Sequence, residues 1–174
     1  MITFREVSHR SSARHRLADN REVWLTPVTP ADRDELADAL RHADLDTLFQ
    51  RFCGAAPTVT PALLTHLTDL DHVRRCAIAA RDADGRGVAI ARYEATREPG
   101  AAEIAVVVTP PWRRVGLATA MTRRLAAVAV ANGFDRFTAT HLAGHQAVAR
   151  MLRSAGAAPV DTGPTVEWSV RLGE

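Results

Sequence analysis

The sequence predicts a single α/β domain, of the α+β kind, in which helices flank one mixed central sheet. The chain has 174 residues, 47% of them hydrophobic and 24% charged, so it is long enough for one core and has the composition of a globular protein. Segments with a hydrophobic period of two alternate with segments of helical period. These segments follow the order β-α-α-β-β-β-α-β-α-β, and no internal repeat or low-complexity linker divides them.

The first half of the chain is predicted to contain one strand and two helical segments. Residues 1–20 are polar and are predicted to form a flexible tail, which leaves residues 21–174 for the domain; a short strand follows the tail at residues 22–28. Thr29-Pro30 and Thr60-Pro61 are each typical of a helix start, a capping threonine before a proline at the first helical position. Leucines at helical spacing predict one helix or two short ones as far as Phe52, and another as far as Leu70.

The second half is predicted to contain most of the sheet. Residues 73–81 and 88–96 are predicted strands, and the turn between them contains an Asp-Gly pair typical of hairpins. Residues 101–109 are a predicted strand, and its run from Ile104 to Val108 is apolar on both faces, which predicts a central position in the sheet. The remaining predicted elements are a helix over residues 115–132, a strand over 136–141, a helix over 144–155 and a strand over 165–172.

Composition and charge exclude several classes of protein. The 22 basic residues, every one an arginine, face 20 acidic residues, a balance that argues against a nucleic-acid coat protein. No apolar run approaches the roughly 18 residues of a membrane helix, and the amino terminus lacks the apolar core of a signal peptide. Cys53 and Cys76 have no C-x-x-C spacing and the histidines have no ligand spacing, so no metal site is predicted. We therefore expect a cytoplasmic protein without nucleic-acid or membrane partners.

The segment from Ala101 to Ala118 carries the clearest chemical signal. A buried strand ends at Pro110-Pro111, a tight turn with two arginines and a glycine follows, and a long helix begins. Backbone N–H groups at a helix start point outward, and the helix dipole favours anions there, above all phosphate. Gly116 allows the backbone to approach a ligand closely. The segment has neither a Walker loop nor a G-x-G-x-x-G pattern, so it predicts a phosphate site of another kind.

The hexapeptide Arg113-Arg-Val-Gly116-Leu-Ala118 resembles motif A of the GNAT acetyltransferases, Arg/Gln-x-x-Gly-x-Gly/Ala. It follows a strand that ends Val106-Val-Val-Thr-Pro110, much as in the family. Further along, His145-Gln-Ala-Val-Ala-Arg-Met151-Leu152, with Gly156, is similar to the last motif of the family. The resemblance covers about residues 22–172. It implies the GNAT fold and an N-acetyltransferase with acetyl-CoA as co-substrate.

Three other segments are similar to Pat-type bacterial protein-lysine acetyltransferases: residues 48–52, 67–73 and 102–105. In those proteins the glutamate before the motif A strand is the proposed general base, and the matching residue here is Glu103. This narrower resemblance implies a protein lysine as the amine acceptor. The resemblance is also compatible with a homodimer.

The resemblance also implies which residues contact acetyl-CoA. Backbone groups of Val106, Val107 and Val108 are expected to bind the pantetheine arm and to polarise the thioester carbonyl. Arg113 is expected to assist pyrophosphate binding electrostatically, and His145 stands where the family has a cofactor-binding asparagine. The pyrophosphate is expected at the backbone N–H groups of Arg114, Val115, Gly116, Leu117, Ala118 and Thr119.

Plainer interpretations of these residues stay open at the level of sequence. Glu103 also fits a solvated carboxylate paired with Arg92 or Arg97, and Glu94 and Glu98 are competing candidates for the base. The three valines also fit an ordinary core, and the two arginines of the motif a solvated pair.

Two departures from the family pattern bear on function: His145 stands in place of the asparagine and Leu152 in place of a tyrosine. The tyrosine that often serves as general acid is Leu152 here, and Tyr93, the one tyrosine of the chain, is expected to be structural. Two rival functions therefore remain: a small-amine acetyltransferase of the same fold, acting for example on a polyamine or antibiotic, and a catalytically weak acyl-CoA sensor.

Overall fold

The computed structural model describes residues 12–43, 58–144, 146–154 and 156–173. The strands are β1 (Ala13–Arg16), β2 (Glu22–Pro27), β3 (Arg75–Arg81), β4 (Gly87–Ala95), β5 (Ala101–Val108), β6 (Arg136–Leu142), β7 (Ala158–Thr162) and β8 (Thr165–Arg171). The helices are α1 (Arg33–His42), α2 (Pro61–Thr68), α3 (Leu117–Ala131) and α4 (Gln146–Ser154). Within these ranges the strands form one eight-stranded sheet in the order β1-β2-β3-β4-β5-β6-β8-β7. The predicted fold class, a mixed sheet flanked by helices, is confirmed.

Two strands were not predicted. Residues 13–16, expected in a flexible tail, pair antiparallel with β2, with Ala13 opposite Leu25 and Arg16 opposite Glu22. The tail prediction is therefore wrong for these residues, while residues 1–11 lie outside the described part of the chain. β7 pairs with β8 in a segment expected to be a connection. β1 is short and polar, and β7 is short and contains a proline, so the existence of both depends on pairing partners and not on a local hydrophobic pattern.

The two predicted threonine-proline helix starts are both present. Thr60 precedes α2, and its hydroxyl oxygen accepts a hydrogen bond from the Leu63 N–H at 3.1 Å. Thr29 precedes a single 3-10 turn that leads into α1, and its own N–H donates to the Asp32 carboxylate at 2.7 Å. The predicted continuation toward Phe52 lies outside the described residues.

Helices cover both faces of the sheet. On the face that we call the back, α3 buries Met121 and Leu125 in the main core, and α4 packs against Trp168. The opposite, front face carries α1 and α2 at the β3 and β4 strands. There Arg81 of β3 binds Asp32 and Glu35, and His66 of α2 binds Glu94 of β4.

The β5–β6 pair is parallel, and it is short. Its register runs from Ala101 opposite Arg136 to Glu103 opposite Thr138 and ends there. Both strands continue, β5 to Val108 and β6 to Leu142. The two strands therefore separate after Glu103 and leave a gap between them, with Glu103 and Thr138 at its vertex.

Candidate active site

The register of β5 decides which backbone groups face this gap. The Thr96 N–H donates to the Ala101 carbonyl and the Thr109 N–H to the Val88 carbonyl, each at 3.0 Å, so the odd-numbered residues of β5 bond to β4. The N–H and C=O groups of Val106 and Val108 consequently point away from β4, toward the gap. Val107 departs from the prediction, because it pairs with Ile90 and its backbone groups belong to the β4–β5 ladder.

The valines are at once core residues and candidates for ligand contact. Ile104, Val106 and Val108 pack their side chains against the main core on the back face. Their backbone groups lie in the plane of the sheet, perpendicular to those side chains. The structural and the functional interpretations of these residues are therefore compatible.

The turn before α3 has the geometry of an anion site. Arg114 and Gly116 have positive φ angles of 64° and 86°, and α3 begins at Leu117. No side chain caps this helix start, and the hydrogen bond from the Ala120 N–H to the Gly116 carbonyl, 3.0 Å long, closes its first turn. The N–H groups of the first helical residues, Leu117, Ala118 and Thr119, thus remain available to a phosphate, with the positive end of the helix dipole behind them.

Two further contacts tie this turn to its surroundings. The Arg113 Nε donates to the Val108 carbonyl at 2.9 Å, which places the guanidinium at the open end of the gap. The Val115 carbonyl accepts a hydrogen bond from the Ala18 N–H at 3.2 Å. Of the predicted ligand residues, His145 lies outside the described part of the chain.

Glu103 is exposed and stands at the vertex of the gap. The competing carboxylates are held by other residues, since Glu98 binds Arg136 at 2.7 Å and Glu94 binds His66 at 3.1 Å. Among the described residues, no cation pairs with the Glu103 carboxylate and no donor binds it, which disfavours the predicted alternative of an ion pair with Arg92 or Arg97. Of the three candidate carboxylates, Glu103 is the one that no described residue binds.

The anion site and Glu103 lie at opposite ends of the gap. From Val108 back to Glu103 the strand spans five residues, or about 17 Å at the usual rise of a strand. A long ligand anchored by its phosphates at the start of α3 would therefore extend along β5 and present its far end at Glu103. The sequence indicated neither Thr138 nor His66 as part of this arrangement, because both enter it only through strand and helix packing.

Tyr93 is not placed to act as the general acid. The Tyr93 hydroxyl donates to the Val73 carbonyl at 3.0 Å and accepts from the Asn132 side-chain amide at 2.8 Å. Burial raises the pKa of Tyr93 to about 12. Leu152 packs beside Ala149 and Trp168. The prediction that Tyr93 is structural is confirmed.

Asp71 organises the loop that joins α2 to β3 beside the site. One oxygen of its carboxylate accepts hydrogen bonds from three successive N–H groups, those of Val73, Arg74 and Arg75, at 2.8–2.9 Å. Partial burial alone would raise the pKa of this carboxyl, but the backbone donors outweigh it, so the pKa of Asp71 lies below its usual value. The Arg75 side chain then binds the carbonyl groups of His66 and Asp69 at the end of α2.

We expect Asp71→Asn to lower the free energy of unfolding by about 1 kcal/mol at pH 7, a small value because the carboxylate is largely exposed. Since the folded-state pKa is depressed, this stabilisation is complete above the unfolded pKa and disappears as the pH falls below about 4. Urea unfolding of parent and variant at pH 7, 5 and 3 measures the difference. A difference that stays constant down to pH 3 would contradict the role of the charge.

The fold is that of a known family of transferases. The description "Acetyltransferase (GNAT) domain" belongs to a family model that matches residues 22–158. The chain belongs to this GNAT acetyltransferase family, whose members use acetyl-CoA.

Individual proteins agree with this assignment. The chain is 32% identical over 135 residues to the protein named Acetyltransferase PA5475 of Pseudomonas aeruginosa, with 76% of this chain and 73% of that protein covered. The GNAT domain of S. lividans PAT superposes with a TM-score of 0.84 at 24% identity, covering 92% of this chain and 97% of that one. A phosphinothricin acetyltransferase from Sinorhizobium meliloti, solved in complex with AcCoA, has a TM-score of 0.73 at 18% identity, covering 87% and 89%. The structural likenesses concern the fold alone.

No three His, Cys, Asp or Glu residues in the described part of the chain are grouped so that they could hold a metal ion. Among the helices described, none has the length and apolar character needed to cross a membrane.

Proposed function

We propose that the protein transfers the acetyl group of acetyl-CoA to the side-chain amine of a protein lysine, with Glu103 as the general base. The observation that carries this proposal is the place of Glu103. It is an exposed carboxylate without a partner among the described residues, at the vertex of the gap that leads from the anion site.

The base is needed because the acceptor is protonated at neutral pH. A lysine amine with a pKa of about 10.4 is neutral in roughly 1 molecule in 2,500 at pH 7, which corresponds to about 4.6 kcal/mol. Glu103 takes the proton from the amine, directly or through a water molecule. The nitrogen then forms the amide bond as the carbon–sulfur bond breaks, and the thiol product takes up a proton.

The residues around the gap fit a coenzyme A thioester. Such a ligand supplies an activated acetyl carbon on a long arm that ends in phosphates. The uncapped N–H groups at the start of α3 and the nearby Arg113 are suited to the phosphates, and the backbone of Val108 and Val106 to the arm. A backbone N–H that faces the gap, such as that of Val106, would hold the carbonyl oxygen as it gains negative charge.

The residues of the front face are suited to an acceptor amine carried on an aliphatic chain. Ala105 and Val107 lie on the same face of β5 as Glu103. They form a small apolar surface next to it. Such a surface suits the methylene chain of a lysine, whose charged end would reach the carboxylate.

The charges of the front face are mixed. Strand register places Glu94 and Glu167 on it, but also Arg75, Arg92 and Arg171. An acceptor groove rich in acidic residues, which would favour a small polycationic amine, is therefore not formed by the described residues.

Thiol release from acetyl-CoA, measured separately with a protein extract and with a pool of small amines, tests the acceptor class. Because the chain contains no lysine, any acetyl-lysine detected afterwards belongs to the acceptor proteins. Turnover with proteins, accompanied by acetyl-lysine, supports the proposal. Turnover confined to small amines would establish the small-amine enzyme instead, and coenzyme A binding without turnover would establish the sensor.

A further inference from the structure

We propose that the segment from Leu17 to Arg21 supports the acetyl-CoA site, and that Arg21 is a positioning residue for the turn before α3. This segment joins β1 to β2, and it lies far in sequence from the GNAT motif that it contacts. The proposal concerns the binding of acetyl-CoA, the acetyl donor, and it does not depend on which amine is the acceptor.

Arg21 and Ala18 hold the motif turn from two sides. The Arg21 Nη2 donates to the Pro111 carbonyl at 3.0 Å, and its guanidinium carbon lies 4.1 Å from the centre of the Trp112 ring. A cation at this distance from an indole is attracted by the π face. Ala18 donates its N–H to the Val115 carbonyl at 3.2 Å. The turn is thus fixed both where it leaves β5 and where it enters α3.

Arg21 is itself held in place by its neighbour Asp19. The Arg21 Nε lies 2.6 Å from one carboxylate oxygen of Asp19, and the Arg21 backbone N–H donates to the other at 3.1 Å. The Leu17 N–H donates to the Arg21 carbonyl at 2.8 Å and closes the turn between β1 and β2. The guanidinium is therefore oriented before any ligand binds.

The segment is anchored in the main core. Leu17 is 4% exposed and belongs to the same core cluster as Trp112 and Val115, the apolar residues of the motif turn. On the other side, Arg14 of β1 pairs with Glu22 of β2. The contacts with the motif turn therefore come from a strand built into the sheet and not from a loose terminus.

These contacts matter because the motif turn is conformationally costly. Arg114 has a φ angle of 64°, in the left-handed region that residues with a side chain adopt only at a cost in free energy. External contacts that hold the turn in this shape increase the fraction of molecules that can bind the phosphates. Loss of Arg21 lowers that fraction, which weakens apparent affinity without altering the chemistry at Glu103.

We expect Arg21→Gln to raise both the Kd of coenzyme A, measured by calorimetry, and the KM of acetyl-CoA by about 5- to 20-fold. The value of kcat should stay within about twofold of the parent, because Glu103 is untouched. Hydrogen exchange of residues 112–118 should be faster in the variant without ligand. Arg21→Lys, which keeps a cation over Trp112 but loses the planar fork, should recover part of the affinity.

Arg14→Gln is the matched control, because it removes an arginine of the same strand pair that contacts Glu22 and not the motif turn. It should leave the Kd, the KM and the exchange of the turn unchanged. If Arg21→Gln does not fold, Asp19→Asn tests the same contact with a smaller expected effect in the same direction. Unchanged coenzyme A affinity in the folded Arg21 or Asp19 variant, or an equal loss in Arg14→Gln, would overturn the proposal.

Discussion

Replacing Glu103 with glutamine should lower kcat for acetyl transfer by about 10²- to 10⁴-fold, the contribution typical of a positioned general base. Glutamine has nearly the same size but cannot accept the proton of the acceptor amine. Because Glu103 is exposed and has no partner among the described residues, its replacement should leave stability and coenzyme A affinity unchanged. Thiol release at saturating acetyl-CoA, together with calorimetric titration of coenzyme A, separates these quantities.

The pH dependence provides a second readout of the same prediction. As the pH rises toward about 10, a growing fraction of the acceptor amine loses its proton to solvent. The deficit of Glu103→Gln relative to the parent should therefore shrink steadily between pH 7 and pH 10. A deficit that is independent of pH would mean that Glu103 acts by some means other than proton removal.

Glu94→Gln is the control for this experiment. Glu94 lies directly opposite Glu103 in the β4–β5 ladder, on the same face, but it is held by His66. Its replacement should change turnover by less than about threefold, since it lies outside the proposed proton path. The assignment of the base is wrong if Glu103→Gln stays within threefold of the parent, or if Glu94→Gln shows the larger loss.

Gly116→Val should raise the KM of acetyl-CoA at least about tenfold. Gly116 has a φ angle of 86°, and a β-branched residue there costs more than the 1–2 kcal/mol of an ordinary side chain. A Cβ at this position would meet no atom within 4 Å, so the expected effect comes from the backbone and not from a clash. The turn would relax toward negative φ, and the N–H groups at the start of α3 would no longer converge on a phosphate.

Gly85→Val separates this effect from a general loss of stability. Gly85 has a φ angle of 79°, also has open space around its Cβ position, and lies in the β3–β4 hairpin turn outside the proposed site. Both variants should lose similar stability in urea unfolding, while Gly116→Val alone should lose affinity for coenzyme A. Equal affinities of the two variants would contradict the role of the Gly116 turn in binding.

The sequence by itself determined the features that depend on local patterns. The turn proposed to bind phosphate is a continuous hexapeptide, and its glycine has a positive φ angle. The threonine-proline pairs start their helices because proline at the first helical turn and a threonine cap act within a few residues. Glu103, the third residue of β5, could be proposed as the base because its segment resembles the Pat-type proteins.

The tertiary structure alone decided the relations between distant segments. β1 forms because β2 provides its pairing partner. The backbone groups of Val107 do not face the gap, because they pair with Ile90. The partners of Glu94 and Glu98, which leave Glu103 as the unpaired one of the three candidate bases, come from α2 and β6. Arg21 reaches Pro111 across 90 residues of sequence. Strand register and the packing of one element on another are set by the whole core, so no short stretch of sequence can encode these contacts.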